Sequence, residues 1–523
     1  MNTELMTRRK FIKASGLIAA ALGTNGCTDD LAFLSSKKSR LSRPNIVFIL
    51  ADDMGIDSVS GLNSKSGIET PNLNKLMADG MTFTDAHSGC AVCSPTRYGV
   101  LTGRYSWRTR LKKGIVGQWK RPLIDKDRLT VGKMLKQCGY HTACIGKWHL
   151  GWQWLDRNGK PTEKLEDIDF SKPVKGGPVE RGFDYYFGDD VPNWPPFVWI
   201  ENDRLQGIPN DVMKEDGSNG VSSGPAMPGW RLDNVLPTIT QKCVDYLKDR
   251  AKEDKPFFLY FPMTSPHTPI NPSKRFQGKS GISKYADFLM ETDWAVGQVL
   301  EALEKYQLSE NTLVIFTADN GTSPICNFSE LEKKGAHIRE NWRGNKADIW
   351  EGGHRVPFIA RWPGIIRPSS KCNETISLVD FMATAAQITG FNLADNDAED
   401  SVSLVSAFRE EKHKEHTREA IVCHSSKGYF AVRNKKWKLV FCGGSGGWSY
   451  PNTEKQVREK GLPSVQLYDL EVDPKEQINL YNKRPEVVDE FLAVLKGYVE
   501  QGRSTKGKPQ KNQGPKHWDQ LPW

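Results

Sequence analysis

The chain has 523 residues, 38% of them hydrophobic and 26% charged, which excludes both a disordered chain and a polytopic membrane protein. Its 46 Gly and 30 Pro carry no collagen-like period, so they belong to a loop-rich globular protein of two or three domains. The 72 Lys and Arg against 63 Asp and Glu leave +9, an excess that hints at an anionic partner such as nucleic acid, acidic polysaccharide or a membrane surface.

Arg8-Arg9-Lys10-Phe11 precedes the apolar stretch Ala14 to Leu22. That stretch is too short to span a bilayer, and residues 1–26 read as an export signal. The arginine pair resembles the twin-arginine signal, which hands folded proteins to the Tat export machinery, and implies a periplasmic or cell-surface protein. Cys27 resembles a lipoprotein attachment cysteine, although Thr24 stands where an aliphatic residue is usual, so a lipid anchor at Cys27 stays open. Residues 27–43 are polar and basic and read as a linker. Ten cysteines in an exported chain invite disulfides, but a chain this long buries a core without them. Cys138 and Cys144, in or beside an apolar strand, read as small buried hydrophobes.

From Asn45 the pattern becomes short apolar runs that read as buried strands: Ile46 to Leu50, Thr142 to Ile145, Phe257 to Phe261, Leu313 to Phe316 and Val356 to Ala360. Helical segments lie between them, the clearest at Phe288 to Leu308. Alternation of this kind predicts an α/β fold, a mostly parallel sheet sandwiched by helices. Asp52 and Asp53 follow the first strand, Lys147 and His149 the second, Pro266 and His267 the third, and Asp319 and Asn320 the fourth. Ligands of open α/β sheets bind outside the carboxyl ends of the strands. Four strands that end in charged or metal-competent residues therefore point to one shared site.

Residues 189–235 form a long loop, with Trp194 and Trp199 either stacking on sugar rings or packing under the turn at Pro195-Pro196. Around residues 391–417 the apolar pattern lapses. Ala420 to Cys423, Tyr429 to Arg433 and Trp437 to Phe441 then read as a small antiparallel sheet, followed by a helix over Pro485 to Glu500. The expected organisation is a catalytic domain over 44–410, a smaller C-terminal subdomain over 411–500 and a basic, flexible tail over 501–523.

The most informative segment is Cys90-Ala91-Val92-Cys93-Ser94-Pro95-Thr96-Arg97. As a Cys-x-x-Cys pair it would serve redox or zinc chemistry, but no second pair stands at zinc-ribbon spacing. Cys93-x-Pro95-x-Arg97 followed by Leu101-Thr102-Gly103-Arg104 resembles the signature of the type I sulfatases of the alkaline phosphatase superfamily, with Thr96 where Ser or Ala is commoner. The resemblance extends through Gly146-Lys147-Trp148-His149, Ser265-Pro266-His267, Thr317-Ala318-Asp319-Asn320-Gly321, Arg343-Gly344-Asn345-Lys346 and Leu467-Tyr468-Asp469-Leu470. It implies an alkaline-phosphatase-like fold and a sulfuric ester hydrolase acting on a sulfated carbohydrate.

It also implies that a maturation enzyme converts Cys93 to formylglycine, whose hydrate attacks sulfur with one hydroxyl and expels sulfate with the other. Asp52, Asp53, Asp319 and Asn320 are hard oxygen donors suited to Ca²⁺ or Mg²⁺. The resemblance implies one Ca²⁺ per chain, completed by residue 93. Related phosphohydrolases have His after this Asp, and Asn320 argues against them. Arg97 and Lys147 are implied partners of the hydrated aldehyde, His149 the acceptor of the proton that triggers elimination, and His267 and Lys346 the groups that bind sulfate and protonate the leaving oxygen. Arg355 reads as a buried structural arginine.

Two alternatives remain at this point: a phosphoester hydrolase of the same superfamily, and a non-catalytic glycan-binding lipoprotein with unmodified Cys93. Charge separates partners more sharply. Residues 1–26 carry +3 and residues 501–523 carry +4, leaving +2 on the body. That is too little for whole-protein attraction to a polyanion or for nucleic acid. Anion recognition must be local.

Overall fold

Asn45–Ala51 is a strand of seven residues with every side chain buried, the mark of a strand covered on both faces. It lies inside a ten-stranded sheet, paired in parallel with Phe257–Pro262 on one side and Thr312–Ala318 on the other. His141–Ile145 continues the parallel order beyond Phe257–Pro262, and Tyr185–Gly188 beyond that. The flanks turn antiparallel: Phe358–Arg361 pairs with Thr312–Ala318, and Ile200–Glu201 with Tyr185–Gly188. The computed structural model describes residues 43–411, 418–514, 518–521 and 523.

Two groups of mutually packed helices flank the sheet. Pro71–Asp79 and Val235–Arg250 pack on Lys284–Lys305, while Phe381–Thr389 packs on Cys93–Thr102 and Val131–Gln137. The long helix expected at Phe288 to Leu308 starts earlier because the Ser283 hydroxyl accepts from the Ala286 N–H and caps it there. Phe381 carries its helix onto the central strands, with its ring 4.4 Å from Phe48.

The smaller sheet is antiparallel, in the order Ile421–His424, Phe430–Arg433, Trp437–Val440 and Gln466–Asp469. The fourth strand was not among those read from the sequence. Helix Pro485–Gln501 covers this sheet with Val487, Phe491 and Leu495, spaced four apart on one face. These parts belong to a unit running from Pro44 to Trp523, separate from the unit Met1–Arg43. Of the latter only Arg43 is described, so the export signal, Cys27 and the rest of the linker up to residue 42 lie outside the described residues. So do residues 412–417, beside the expected boundary at 410. Among the described residues no helix is long and apolar enough to cross a membrane, and the nine cysteines are all free thiols.

The described residues of the segment read as a flexible tail pack against the body. Trp518 is 6% exposed, stacked on Phe430 at 5.8 Å and edge-on to Trp107 at 5.6 Å. The Gln513 N–H donates to the Arg108 carbonyl, and the Asn512 amide to that of Val499. A few aromatic and backbone anchors outweigh a composition that reads as polar coil.

Candidate active site

The four central strands run parallel, so their carboxyl ends share one edge of the sheet. Backbone bonds lock the turns beyond them: Asp52 N to Ser265 O at 3.0 Å, Asp319 N to Ala51 O at 3.0 Å and Lys147 N to Pro262 O at 2.8 Å. Gly146, at φ +126°, lets the chain cross Pro262, whose carbonyl a Cβ would strike. Asp53 and His149 both adopt positive φ, 63° and 53°, a region where Asp and His are commoner than most residues.

Cys93 opens the helix Cys93–Thr102 at that edge. Its thiol lies within 4.8 Å of carboxylate oxygens of Asp52 and Asp319. Arg97, one turn on, lies on the same face and donates to Asp319 Oδ2 at 2.8 Å and to the Lys147 carbonyl at 3.0 Å. The Thr96 hydroxyl donates to the Cys90 carbonyl at 3.0 Å and braces the turn before the helix. The loop is braced from a distance as well. Ala91 N donates to His424 O, Ala347 N to Ala91 O and Ser426 N to Ala347 O. Residue 93 is 2% exposed.

Lys147 Nζ donates to Asp52 Oδ2 at 2.6 Å, and Lys346 Nζ to Asp53 Oδ2 at 2.7 Å. His267 Nε2 stands 3.7 Å from the same Asp53 oxygen, while its Nδ1 is turned to the Thr268 carbonyl at 2.6 Å. His149 Nε2 meets the Val116 carbonyl at 3.1 Å, and its Nδ1 has no partner. A carbonyl only accepts, so Nε2 carries the proton and the Nδ1 lone pair is free. All the expected residues therefore meet at one locus: Asp52, Asp53, Cys93, Arg97, Lys147, His149, His267, Asp319, Asn320 and Lys346.

Burial would raise the Asp52 carboxyl, but Lys147, His267, Arg97 and Lys346 outweigh it and hold Asp52 well below the carboxylate range. Asp319 is pushed well above it by burial and by the neighbouring Asp52 charge. Burial, reinforced by Lys147, pulls His149 down to about 3; burial and Lys346 pull His267 to about 4. Both rings are neutral near pH 7.

The acidic groups form sets that could hold a cation: Asp52, Cys93 and Asp319, and Asp52, Asp53 and His267. Asp52 Oδ1 and Asn320 Oδ1 are buried without hydrogen-bond partners, a cost that a bound cation removes. The donor chemistry and these orphaned oxygens fit a hard cation. Two further buried groups that share His87, one with Asp85 and Glu351 and one with His354 and Cys423, do not. Arg433 lies on His87 and Asp85, Lys438 Nζ is 2.9 Å from His354 Nε2, and Arg355 donates to Asp85 and Glu351. Protein cations already occupy those donors, and Arg355 is the structural arginine expected.

Sequence reasoning missed two supports. Asp190 Oδ1 accepts the His149 N–H at 3.0 Å, and it follows the strand Tyr185–Gly188, so the strand-end rule would have found it had that strand been read. The Val116 carbonyl has no side-chain signal at all. Of the loop tryptophans, Trp199 packs between Phe187 at 5.0 Å and Trp230 at 4.7 Å, whereas Trp194 sits edge-on to His149 at 5.3 Å.

The family model "Sulfatase" matches residues 44–391, and "N-sulphoglucosamine sulphohydrolase, C-terminal" matches residues 344–503. The chain is 30% identical to an N-acetylgalactosamine-6-O-sulfatase of Bacteroides thetaiotaomicron, covering 90% of this chain and 95% of the relative. It is 30% identical to human arylsulfatase A, covering 87% and 86%. A solved structure from work on glycosaminoglycan metabolism by Bacteroides thetaiotaomicron superposes with a TM-score of 0.74 at 28% identity, covering 87% of this chain and 99% of that one.

Proposed function

The chain belongs to the sulfatase family and is a sulfuric ester hydrolase, and from that premise we propose that it desulfates a sulfated glycan, using formylglycine made from Cys93 and one Ca²⁺. The observation that carries this reading is the convergence of four parallel strand ends and one helix start on a buried acidic cluster with two orphaned oxygens.

Asp52, Asp53, Asp319, Asn320 and residue 93 would hold the Ca²⁺, which supplies Lewis acidity toward anionic oxygens when bound. Formylglycine, once hydrated, supplies one hydroxyl for attack on sulfur and another for release of sulfate. The residues around it do the rest. Arg97 and Lys147 orient residue 93 and balance the carboxylates. His149 is poised as a base, because its Val116 contact directs the free Nδ1 lone pair to proton transfer. Lys346 is held protonated beside Asp53 despite its burial and offers fixed positive charge to a sulfuryl group. His267 is neutral in the free site; the negative charge of a sulfate ester beside it favours its protonation and hence delivery of a proton to the leaving oxygen.

Relatives named for N-acetylgalactosamine 6-sulfate support a hexosamine 6-sulfate as substrate. Burial of Cys93 in the folded chain supports modification before folding, with Tat-type export of the finished protein to the periplasm or cell surface. A lipid anchor at Cys27 belongs to the same proposal.

The test is mass spectrometry of the peptide containing residue 93, from enzyme purified from its native host, alongside rates on one aryl scaffold carried as sulfate and as phosphate. An aldehyde at position 93 and a dominant sulfatase rate are expected. An intact thiol in fully active enzyme would overturn the nucleophile, and a dominant phosphatase rate the substrate class.

A further inference from the structure

The loop after Trp437–Val440 in the smaller sheet reads Gly443-Gly444-Ser445-Gly446-Gly447-Trp448-Ser449-Tyr450-Pro451, and nothing in the chemistry above uses it. It docks directly on the loop that carries Lys346. Gly447 packs backbone against backbone there, and a Cβ at that position would collide with the Ala347 carbonyl. Asp348, two residues after Lys346, accepts from the Trp448 and Ser449 N–H groups at 2.8 and 3.0 Å and from the Ser449 hydroxyl at 2.5 Å. The Asn345 amide donates to the Ser449 hydroxyl at 2.8 Å, and Ile349 N to Ser445 O at 2.7 Å. Trp448 is thus anchored from both sides of Lys346.

Trp448 nevertheless remains 49% exposed. Lys346 Nζ lies over the ring, 5.8 Å from its centroid, and the same nitrogen contacts Asp53 at 2.7 Å. An exposed aromatic residue on an anchored backbone beside a buried site cation is unusual, because large apolar side chains elsewhere in this protein are mostly buried.

We propose that Trp448 is the platform on which the sugar ring bearing the sulfate stacks; this rests on the reading of Lys346 as a sulfate-binding residue. A sulfate ester places its sugar one ester linkage beyond the anion, and the 5.8 Å between Lys346 Nζ and the indole suits that span. The apolar C–H face of a pyranose covers an indole well. The Asp348 bonds to Trp448 N–H and to Ser449 fix the backbone that carries the indole, so only the side-chain torsions remain to be ordered on binding. The C-terminal sheet thereby contributes a specificity-determining residue to a site otherwise built by the large sheet.

The test compares wild type, Trp448→Ala and Trp448→Phe on a chondroitin 6-sulfate disaccharide, with inorganic sulfate as a product inhibitor that reaches only the anion pocket. Trp448→Ala is expected to raise KM for the disaccharide by about tenfold with kcat unchanged, and Trp448→Phe to recover most of the loss. The inhibition constant for sulfate stays at the wild-type value. An unchanged KM overturns the platform, and so does an equal weakening of inorganic sulfate, which would give Trp448 the task of shaping the anion pocket. A wild-type enzyme with no turnover of any sulfated glycan fails earlier, on the substrate reading itself, and overturns both.

Discussion

Lys147 and Asp52 form a 2.6 Å ion pair that uses only one carboxylate oxygen, leaving Asp52 Oδ1 buried with no partner. The pair explains how an acidic cluster survives without solvent: Lys147 and Arg97 neutralise the Oδ2 side, while the other side faces the place where a cation would bind.

Chelation by EDTA should therefore abolish activity and lower Tm, with Ca²⁺ restoring both. Asp52→Asn should lose about 10²–10³-fold in kcat and the Ca²⁺-dependent rise in Tm. Activity and Tm indifferent to chelator would remove the cation from the site.

His149→Ala should lower kcat by about 10²–10⁴-fold with little change in KM, since the ring is placed for a proton transfer rather than for holding the ground state. Steady-state kinetics decides this. A variant retaining more than roughly a tenth of the rate would leave His149 no part in the proton step.

Acid should destabilise the fold from mildly acidic pH downward. Burial, then the Arg433 guanidinium, pulls His87 to about 4, and burial pulls His424 to about 3. Above the ordinary value of 6.5 both folded and unfolded chains hold these rings neutral, so their contribution is fully present. As pH falls from 6.5 toward 4, the unfolded chain takes up protons that the folded one refuses. Each ring then costs about 1.4 kcal/mol per pH unit. Urea unfolding at pH 7.5, 6 and 5 measures the slope, and His87→Asn should make it shallower. A slope unchanged by that substitution would contradict the assignment.

Trp518→Ala should destabilise the protein by about 3–5 kcal/mol through the cavity left against Phe430 and Trp107, while kcat on the folded enzyme is unaffected. Thermal unfolding distinguishes this from a free tail, for which Tm would not move.

The core of the site was legible because buried parallel strands write continuous apolar runs, and Asp52, Lys147, His267 and Asp319 stand just beyond them. Cys93 and Arg97 were legible only through the resemblance of Cys93-x-Pro95-x-Arg97 to the sulfatase signature; that they share one face of a helix emerged with the fold. The supports were harder to read. Tyr185–Gly188 is four residues long and hides Asp190, and a carbonyl such as that of Val116 has no residue-type signature. Trp518 and Trp448 owe their positions to partners far away in sequence, so local composition assigned the first to a mobile tail and gave no role to the second. Arg355 was legible as structural, and Glu351 lies only four residues before it, yet Asp85 reaches it only through the fold.

The bonds from Ala91 to His424 and from Ala347 to Ala91 also set a clock. The wall behind residue 93 cannot close until His424 has left the ribosome, about 330 residues after Cys93 itself. At roughly 5–20 residues per second that interval lasts roughly 15–70 s. During it the thiol is synthesised but not yet enclosed. Under the proposed conversion of Cys93, the modifying enzyme would compete with the completion of its own substrate's chain, and faster translation should then yield more folded protein with an intact thiol.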